Sequence, residues 1–320
     1  MLLMHSRKAW KAGKMQKKRG AAEAPLFLEK EDFMSRIEKK VYTGWLAVPG
    51  ILIYVLIFVI PTFASFYFSM TTWNLKTSVF TGFDNFITFF TMTNTKASLA
   101  NTAVYAFCTC AAKVVFGLLI AQYLCGKAKS AGYLKVVLFF PTLLGNVVVA
   151  IAFEKILASG GIVNQFLGIW GIGPVKWLTS SAWAMFTCIL VDIWKGIGTA
   201  ILIYVAGISA IPTTYYEAAA IDGGSSVQIF RKITLPLLVP TINTVLTLSL
   251  IGGLRTYDLI YAMTGGGPGY STEVLGSVIY KLFSRGNYGI ATAGYVIMFV
   301  VVSVIVFPLN SFVAKKEAEL

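Results

Sequence analysis

The sequence predicts an all-α membrane protein with six spanning helices and both termini on the cytoplasmic side. Three observations carry that prediction. Of the 320 residues, 57% are hydrophobic and only 13% charged, well outside the soluble norm. Several apolar runs reach the ~18 residues that a helix needs to cross a bilayer. The 27 Lys and Arg are also unevenly placed. Eleven precede Val41, and others gather as Lys127, Lys129 and Lys135, as Arg231 and Lys232, and as Lys315 and Lys316. Basic clusters beside apolar spans mark cytoplasmic faces, so the net charge of +13 reads as a topology signal rather than a nucleic-acid footprint.

In order, residues 1–44 form a basic tail, too polar for a signal peptide. Around Phe33, Ile37 and Val41 it has the pattern of an amphipathic interfacial helix. Residues 45–313 form the membrane domain. Its first span runs from about Trp45 to Phe68, and Pro49 and Pro61 predict kinks in it. An outer loop, 70–96, contains a short helix start at Gly82-Phe83-Asp84. The second span covers about Leu99–Leu124, the third about Val136–Leu157, the fourth about Trp183–Ile211, the fifth about Thr241–Met263 and the sixth about Ile290–Val313. Residues 159–181 and 264–290 are read as outer loops. A cytoplasmic tail, 314–320, closes the chain. On this assignment 18 Lys and Arg lie inside and five outside, as the positive-inside bias requires.

Composition also removes whole classes of chemistry. His5 is the only histidine, which rules out a histidine-ligated metal site or a His-based triad. Cys108, Cys110, Cys125 and Cys188 lie in or beside apolar spans without metal-ligand spacing and read as small reduced core residues. No Gly-x4-Gly-Lys-Ser/Thr phosphate loop occurs, so the chain does not bind ATP in that way.

The most informative polar stretch joins the fourth and fifth spans, at 212–240. Pro212 suits a helix start, and Ala218, Ala219 and Ala220 are the best helix formers. Asp222-Gly223-Gly224 breaks that helix. Ser225 with Gln228 predicts a capping box for a second helix, expected to run to Ile233 and stop at Pro236. Glu217 stands before the alanines, whose low relief lets a partner approach closely.

Ionisable residues inside spans are costly and usually face an interior or a water-filled path. Asp192, Lys195, Gly196 and Thr199 share one face of the fourth span, at helical spacing. Ser249, Gly252, Gly253 and Thr256 do the same on the fifth, with Arg255 beside them. Two readings fit: close helix packing through small residues, or a hydrated substrate cavity. Asp192 with Lys195, and Arg255 with Asp258, have the spacing of neutralising ion pairs. Trp194, Tyr204 and Tyr257 are candidate stacking surfaces. Lys113 reads as a helix-packing residue, and Glu154 and Lys155 as snorkelling near a boundary.

Glu217-Ala218-Ala219, three residues, Gly223, nine residues, then Ile233-x-Leu235-Pro236 resembles the EAA loop of binding-protein-dependent ABC transporter permeases, with every fixed position filled. Over about 45–313 the chain is similar to the carbohydrate-uptake branch, on the side of the maltose-type "F" permeases. Thr264-Gly265-Gly266-Gly267-Pro268 and the paired prolines of the first span share in this, although the large extracytoplasmic insertion of some maltose-type subunits is absent.

The resemblance implies a type I importer permease in the bacterial cytoplasmic membrane, pairing with a second homologous permease subunit. It implies an ATPase dimer that holds ATP and Mg and docks on Glu217, Ala218, Ala219, Asp222, Gly223, Ile233, Leu235 and Pro236. An extracellular sugar-binding protein would deliver a carbohydrate, such as an oligosaccharide, to a path along the two polar stripes. This chain would bind no cofactor itself. An acidic saccharide or sugar phosphate remains open, because Lys195 and Arg255 can face it. An ion-coupled carrier using Asp192 or Asp258, and an intramembrane enzyme using Glu154 or Asp192, are the rivals from other classes.

Overall fold

Where a proline interrupts an apolar helix, the missing N–H and the ring clash must be absorbed locally. A computed structural model, which describes residues 44–126 and 130–318, shows one solution used twice. The described chain forms two units, one ending at Ala64 and the other starting at Ser65. Helix α1, Val48–Ser69, passes from the first into the second. Its turn Val55–Val59 is π-helical, and Ile60 N–H reaches back to Val55 O, so Pro61 follows a widened turn rather than breaking the helix. The amphipathic helix expected around Phe33 lies outside the described residues, as do Lys127 and Lys129.

In the second unit, an antiparallel hairpin, β1 (Thr71–Trp73) and β2 (Ser78–Phe80), stands where a plain loop was expected. Helix α2, Asp84–Thr91, begins where Gly82-Phe83-Asp84 predicted it. Buried Asn85 donates to Ser69 O and Thr71 O, both at 2.9 Å, and so ties this helix to the hairpin. The second span is helix α3, Thr93–Cys125, longer than expected at its polar start.

The third span differs from expectation. Instead of one helix over 136–157, the chain forms α4, Ala131–Leu143, and α5, Asn146–Ile156, bent by 98°. Pro141 and the extended Leu144 and Gly145 explain the break. Within 159–181 lies a short helix, α6 (Ile162–Ile169), organised by Asn164, which donates to Ala158 O and Val175 O. The fourth span, α7 (Ala184–Ala210), matches its prediction closely.

The hairpin between spans four and five comprises α8 (Thr213–Ile221) and α9 (Ser226–Leu237). The second helix does not stop at Pro236. A π-turn, Phe230–Thr234, precedes it, with Leu235 N–H bonded to Phe230 O, and the helix continues to Leu237 before bending by 68° into α10, Val239–Leu254. The fifth span is likewise not continuous to Met263. It ends at Leu254, and α11, Asp258–Thr264, starts after a break at Arg255–Tyr257. The expected loop 264–290 is largely helix: α12, Leu275–Ser284, buries Leu275, Val278, Ile279 and Leu282. Helix α13, Tyr288–Ala318, forms the last span and runs on through most of the expected tail.

By length and composition, four of these helices can cross a membrane alone, and the two bent pairs raise the number to six if each counts once. Helix α3 is the central strut, packed on α7 and α10. Ala121, Leu118, Ile201, Tyr204, Leu238 and Val245 form the core between them. A second core joins α12 to α2 and α13 through Phe89, Ile279 and Ala291. Small residues set these approaches. A Cβ on Gly253 would lie 2.7 Å from Ala106 Cα, whereas one on Gly252 would meet nothing within 4 Å.

That contrast predicts a measurable difference between neighbours. Gly253→Ala forces α10 away from α3 and should cost about 1–3 kcal/mol, lowering the thermal midpoint of the purified protein. Gly252→Ala should not lower that midpoint and should raise it slightly, since alanine favours the helix.

Candidate functional site

The two polar stripes predicted on α7 and α10 line one cavity. It has a volume of about 470 Å³ and is bordered by Asp192, Lys195, Gly196 and Thr199 from α7 and by Ser249 and Gly252 from α10, within the size range of small-molecule sites. The α10–α11 break adds Arg255, Thr256 and Tyr257. Gly253 does not line the cavity. It is buried against Ala106 and Thr109 of α3 and serves packing.

The α4–α5 and α10–α11 breaks both open onto this space. Thr142 and Asn146, flanking the α4–α5 break, and Asp258, at the start of α11, are cavity residues. Asn146 Nδ2 donates to Asp258 Oδ2 at 2.8 Å, locking the two broken segments together. Thr142 Oγ1 donates to Lys195 O at 2.9 Å and so pins α4 to α7. Non-helical backbone at membrane depth is tolerated where it lines a water-filled space or is buried in protein. The cavity supplies that setting.

The charges are arranged differently from the ion pairs expected by spacing. Asp192 pairs with Lys113 of α3, Nζ to Oδ2 at 2.6 Å, and the two side chains are only 12% and 19% exposed, Lys113 and Asp192 respectively. Gly196 permits this, because a Cβ there would stand 2.8 Å from Lys113 Cε and Nζ. Asp258 uses its second oxygen to accept from Leu259 N–H at 2.9 Å. Among the described residues, neither Lys195 nor Arg255 carries an ion pair. Thr142 and Asn146 thus belong to the site although sequence reasoning passed over them, and Lys113, read there as a helix-packing residue, belongs to it too. Their partners lie on other helices, out of reach of any spacing rule. Pro141 with Thr142, Gly145 and Asn146 close behind it was the available signal for the α4–α5 break.

Of the candidate stacking residues, Tyr257 faces the cavity and stacks on Tyr280, with centroids 5.3 Å apart. Trp194 packs edge-on to Phe153. Tyr204 is fully buried in the core against Gly117, so it has no surface to offer a ligand. Among the described residues, no group of three or more His, Cys, Asp or Glu is placed to hold a metal ion.

The α8–α9 hairpin is a second candidate surface. Gly223 adopts φ +76° at its turn, a conformation strained for any side chain. The predicted capping box is formed: Ser225 Oγ accepts from Gln228 N–H, and Gln228 Oε1 accepts from Ser225 N–H. Tyr216 Oη lies 3.3 Å from Thr234 Oγ1 and ties the two helices. Glu217, Ala218, Asp222, Gly223 and Leu235 are exposed, and Ala219, Ile233 and Pro236 are half-buried. Ala219, Asp222, Gly223 and Ile233 also border a hollow of about 350 Å³ beside the turn. At the end of α8, Ile221 is 86% exposed, a large apolar side chain that sequence reasoning did not single out.

Residues 113–317, more than half of the chain, match the family described as "Binding-protein-dependent transport system inner membrane component". The chain belongs to this family. Among relatives of this binding-protein-dependent permease is the trehalose/maltose transport system permease protein MalF of Thermococcus litoralis, 33% identical over 81% of this chain and 89% of that protein. The multiple sugar-binding transport system permease protein MsmF of Streptococcus mutans is also 33% identical, over 82% and 92%. Among solved structures, a bacterial ABC transporter that imports the acidic polysaccharide alginate superposes with a TM-score of 0.76. It is 25% identical and covers 88% of this chain and 98% of its own. The multi-pass permease fold is therefore established, and the chain is a transport subunit rather than an enzyme.

The Lys113–Asp192 pair yields a test of the site's integrity. Lys113→Met leaves a carboxylate largely out of solvent without its partner and should destabilise the permease by about 3 kcal/mol. Lys113→Met combined with Asp192→Leu should recover much of that loss in thermal unfolding, since the stranded charge is gone.

Proposed function

We propose that this chain is one half of the translocation path of an ATP-driven carbohydrate importer in a bacterial cytoplasmic membrane. Its spans number six, with the bent α4–α5 pair as the third, α10 as the fifth and both termini in the cytoplasm. A second homologous permease subunit completes the path. Two ATPase subunits, which carry ATP and Mg, dock on the α8–α9 hairpin, and an extracellular binding protein delivers the sugar. The observation that carries this reading is one of connectivity. The polar cavity lies on α7 and α10, and the hairpin is the covalent link between those two helices. The names of the sugar-transporting relatives support the substrate class. The alginate transporter solved with an oligosaccharide-bound periplasmic protein supports the delivery step.

In the proposed cycle, closure of the ATPase dimer moves the hairpin, and α7 and α10 shift with it. The cavity then opens outward to take sugar from the binding protein, and hydrolysis returns it inward. Hydroxyls of Thr199, Ser249 and Thr256 along the cavity suit a polyhydroxylated substrate, and Tyr257 offers a ring face. A proton- or sodium-driven carrier is disfavoured because Asp192 and Asp258 are both engaged within the chain, by Lys113 and by Asn146.

Two variants of the reconstituted complex test the coupling. Glu217→Ala should lower substrate-stimulated ATP hydrolysis by about tenfold, and Ile221→Asp should release the ATPase subunits in a co-purification assay, as loss of a central anchor does. Full coupling in both variants would refute the hairpin's role, and uptake without any ATPase would point to the ion-driven carrier.

A further inference from the structure

We infer that the cavity is built for an acidic saccharide, one whose carboxylate or phosphate is held by Lys195 and Arg255. The inference rests on the carbohydrate reading above and narrows it. Charge placement in the cavity is its basis. The lining residues include three cations, Lys113, Lys195 and Arg255, and two acids, Asp192 and Asp258. Lys113 is consumed by Asp192 at 2.6 Å. Asp258 accepts from Asn146 Nδ2 and Leu259 N–H. Neither acid therefore makes an ion pair with Lys195 or Arg255, although both have the right sequence spacing to do so.

Lys195 is half-buried and Arg255 exposed on the cavity, and among the described residues neither has a counter-charge of its own. Lys195 sits near the middle of the 27-residue helix α7. Arg255 occupies the break that ends α10. An ionised side chain at such depth is tolerated when it faces water or a counter-charge, and the structure's own counter-charges are already committed. A neutral sugar would leave both cations solvated but unmatched. A carboxylate or phosphate would gain charge-assisted hydrogen bonds from each, and Arg can grip it with two parallel bonds. The neighbouring Thr199, Ser249 and Thr256 hydroxyls then serve the sugar's own hydroxyls. Tyr257, braced on Tyr280, presents a ring to one of its faces.

The test uses the full complex of both permease subunits and ATPase dimer in nanodiscs, without nucleotide and without the binding protein. Equilibrium binding is measured for trigalacturonate, glucose 6-phosphate and maltotriose. Trigalacturonate or glucose 6-phosphate should bind at least about tenfold more tightly than maltotriose, and which of them does so separates carboxylate from phosphate recognition. Lys195→Gln and Arg255→Gln should each weaken binding of the preferred anion by about tenfold or more while maltotriose is unaffected. Arg255→Lys should retain part of the affinity, which a merely structural role would not produce. Size-exclusion profiles confirm that each variant is assembled. Maltotriose binding as tight as either anion, and indifferent to both substitutions, overturns the charge assignment and leaves the carbohydrate reading intact. If no saccharide binds here or is taken up by the complete transporter with its binding protein, the carbohydrate reading falls with it.

Discussion

Lys113 and Asp192 meet across the α3–α7 interface, and much of the cavity's character depends on that contact. It joins the central strut to the helix that carries the polar stripe. It also takes Asp192 out of play for Lys195, one turn away on the same helix. A buried ion pair contributes little net stability, because desolvation offsets most of its Coulombic gain. Its consequence here is arrangement: it decides which charges are spent internally and which remain available. Gly196 is part of the same device, since the missing side chain leaves room for the end of Lys113 to lie against α7.

The second constraint is backbone polarity. In hydrocarbon, an N–H or C=O without a partner is expensive, so spanning helices are normally unbroken. Helices of this chain break nonetheless, and two of the breaks, at Leu144–Gly145 and at Arg255–Tyr257, border the same cavity. Asn146 and Asp258 secure the broken ends to each other. The cavity is thus where the fold relaxes its strictest rule, and the relaxation is supported by cross-helix hydrogen bonds rather than by regular structure.

Local rules carried the sequence reading a long way. Helical spacing placed Asp192, Lys195, Gly196 and Thr199 on one face, and Ser249, Gly252 and Thr256 on another, and both faces line the cavity. Ser225 and Gln228 form the capping box that their spacing implied. The same rules failed where the deciding atom lies on another helix. Asp192 was assigned to Lys195 by proximity along the chain, but Lys113 approaches from α3. Gly253 shares a stripe with Gly252 by spacing, yet the roughly 100° between successive helical residues turns it to α3. Hydropathy could not see the breaks either, because Leu144 and Tyr257 are apolar enough to continue a span. Pro236 was taken for a stop because the intact α-helix was assumed, and a π-turn changes the register that makes proline intolerable.

That π-turn has a mechanical side. By accommodating Pro236, it keeps α9 a single rod from Ser226 to Leu237, roughly 18 Å at the usual rise per residue. The rod meets α10 at 68° rather than in line. A thrust along α9 therefore arrives at the Val239 end of α10 chiefly as a sideways displacement, swinging the helix instead of driving it along its axis. Ser249 and Gly252 ride on that helix, so such a swing would change the width of the space facing Lys195 while leaving the depth of its lining residues nearly constant.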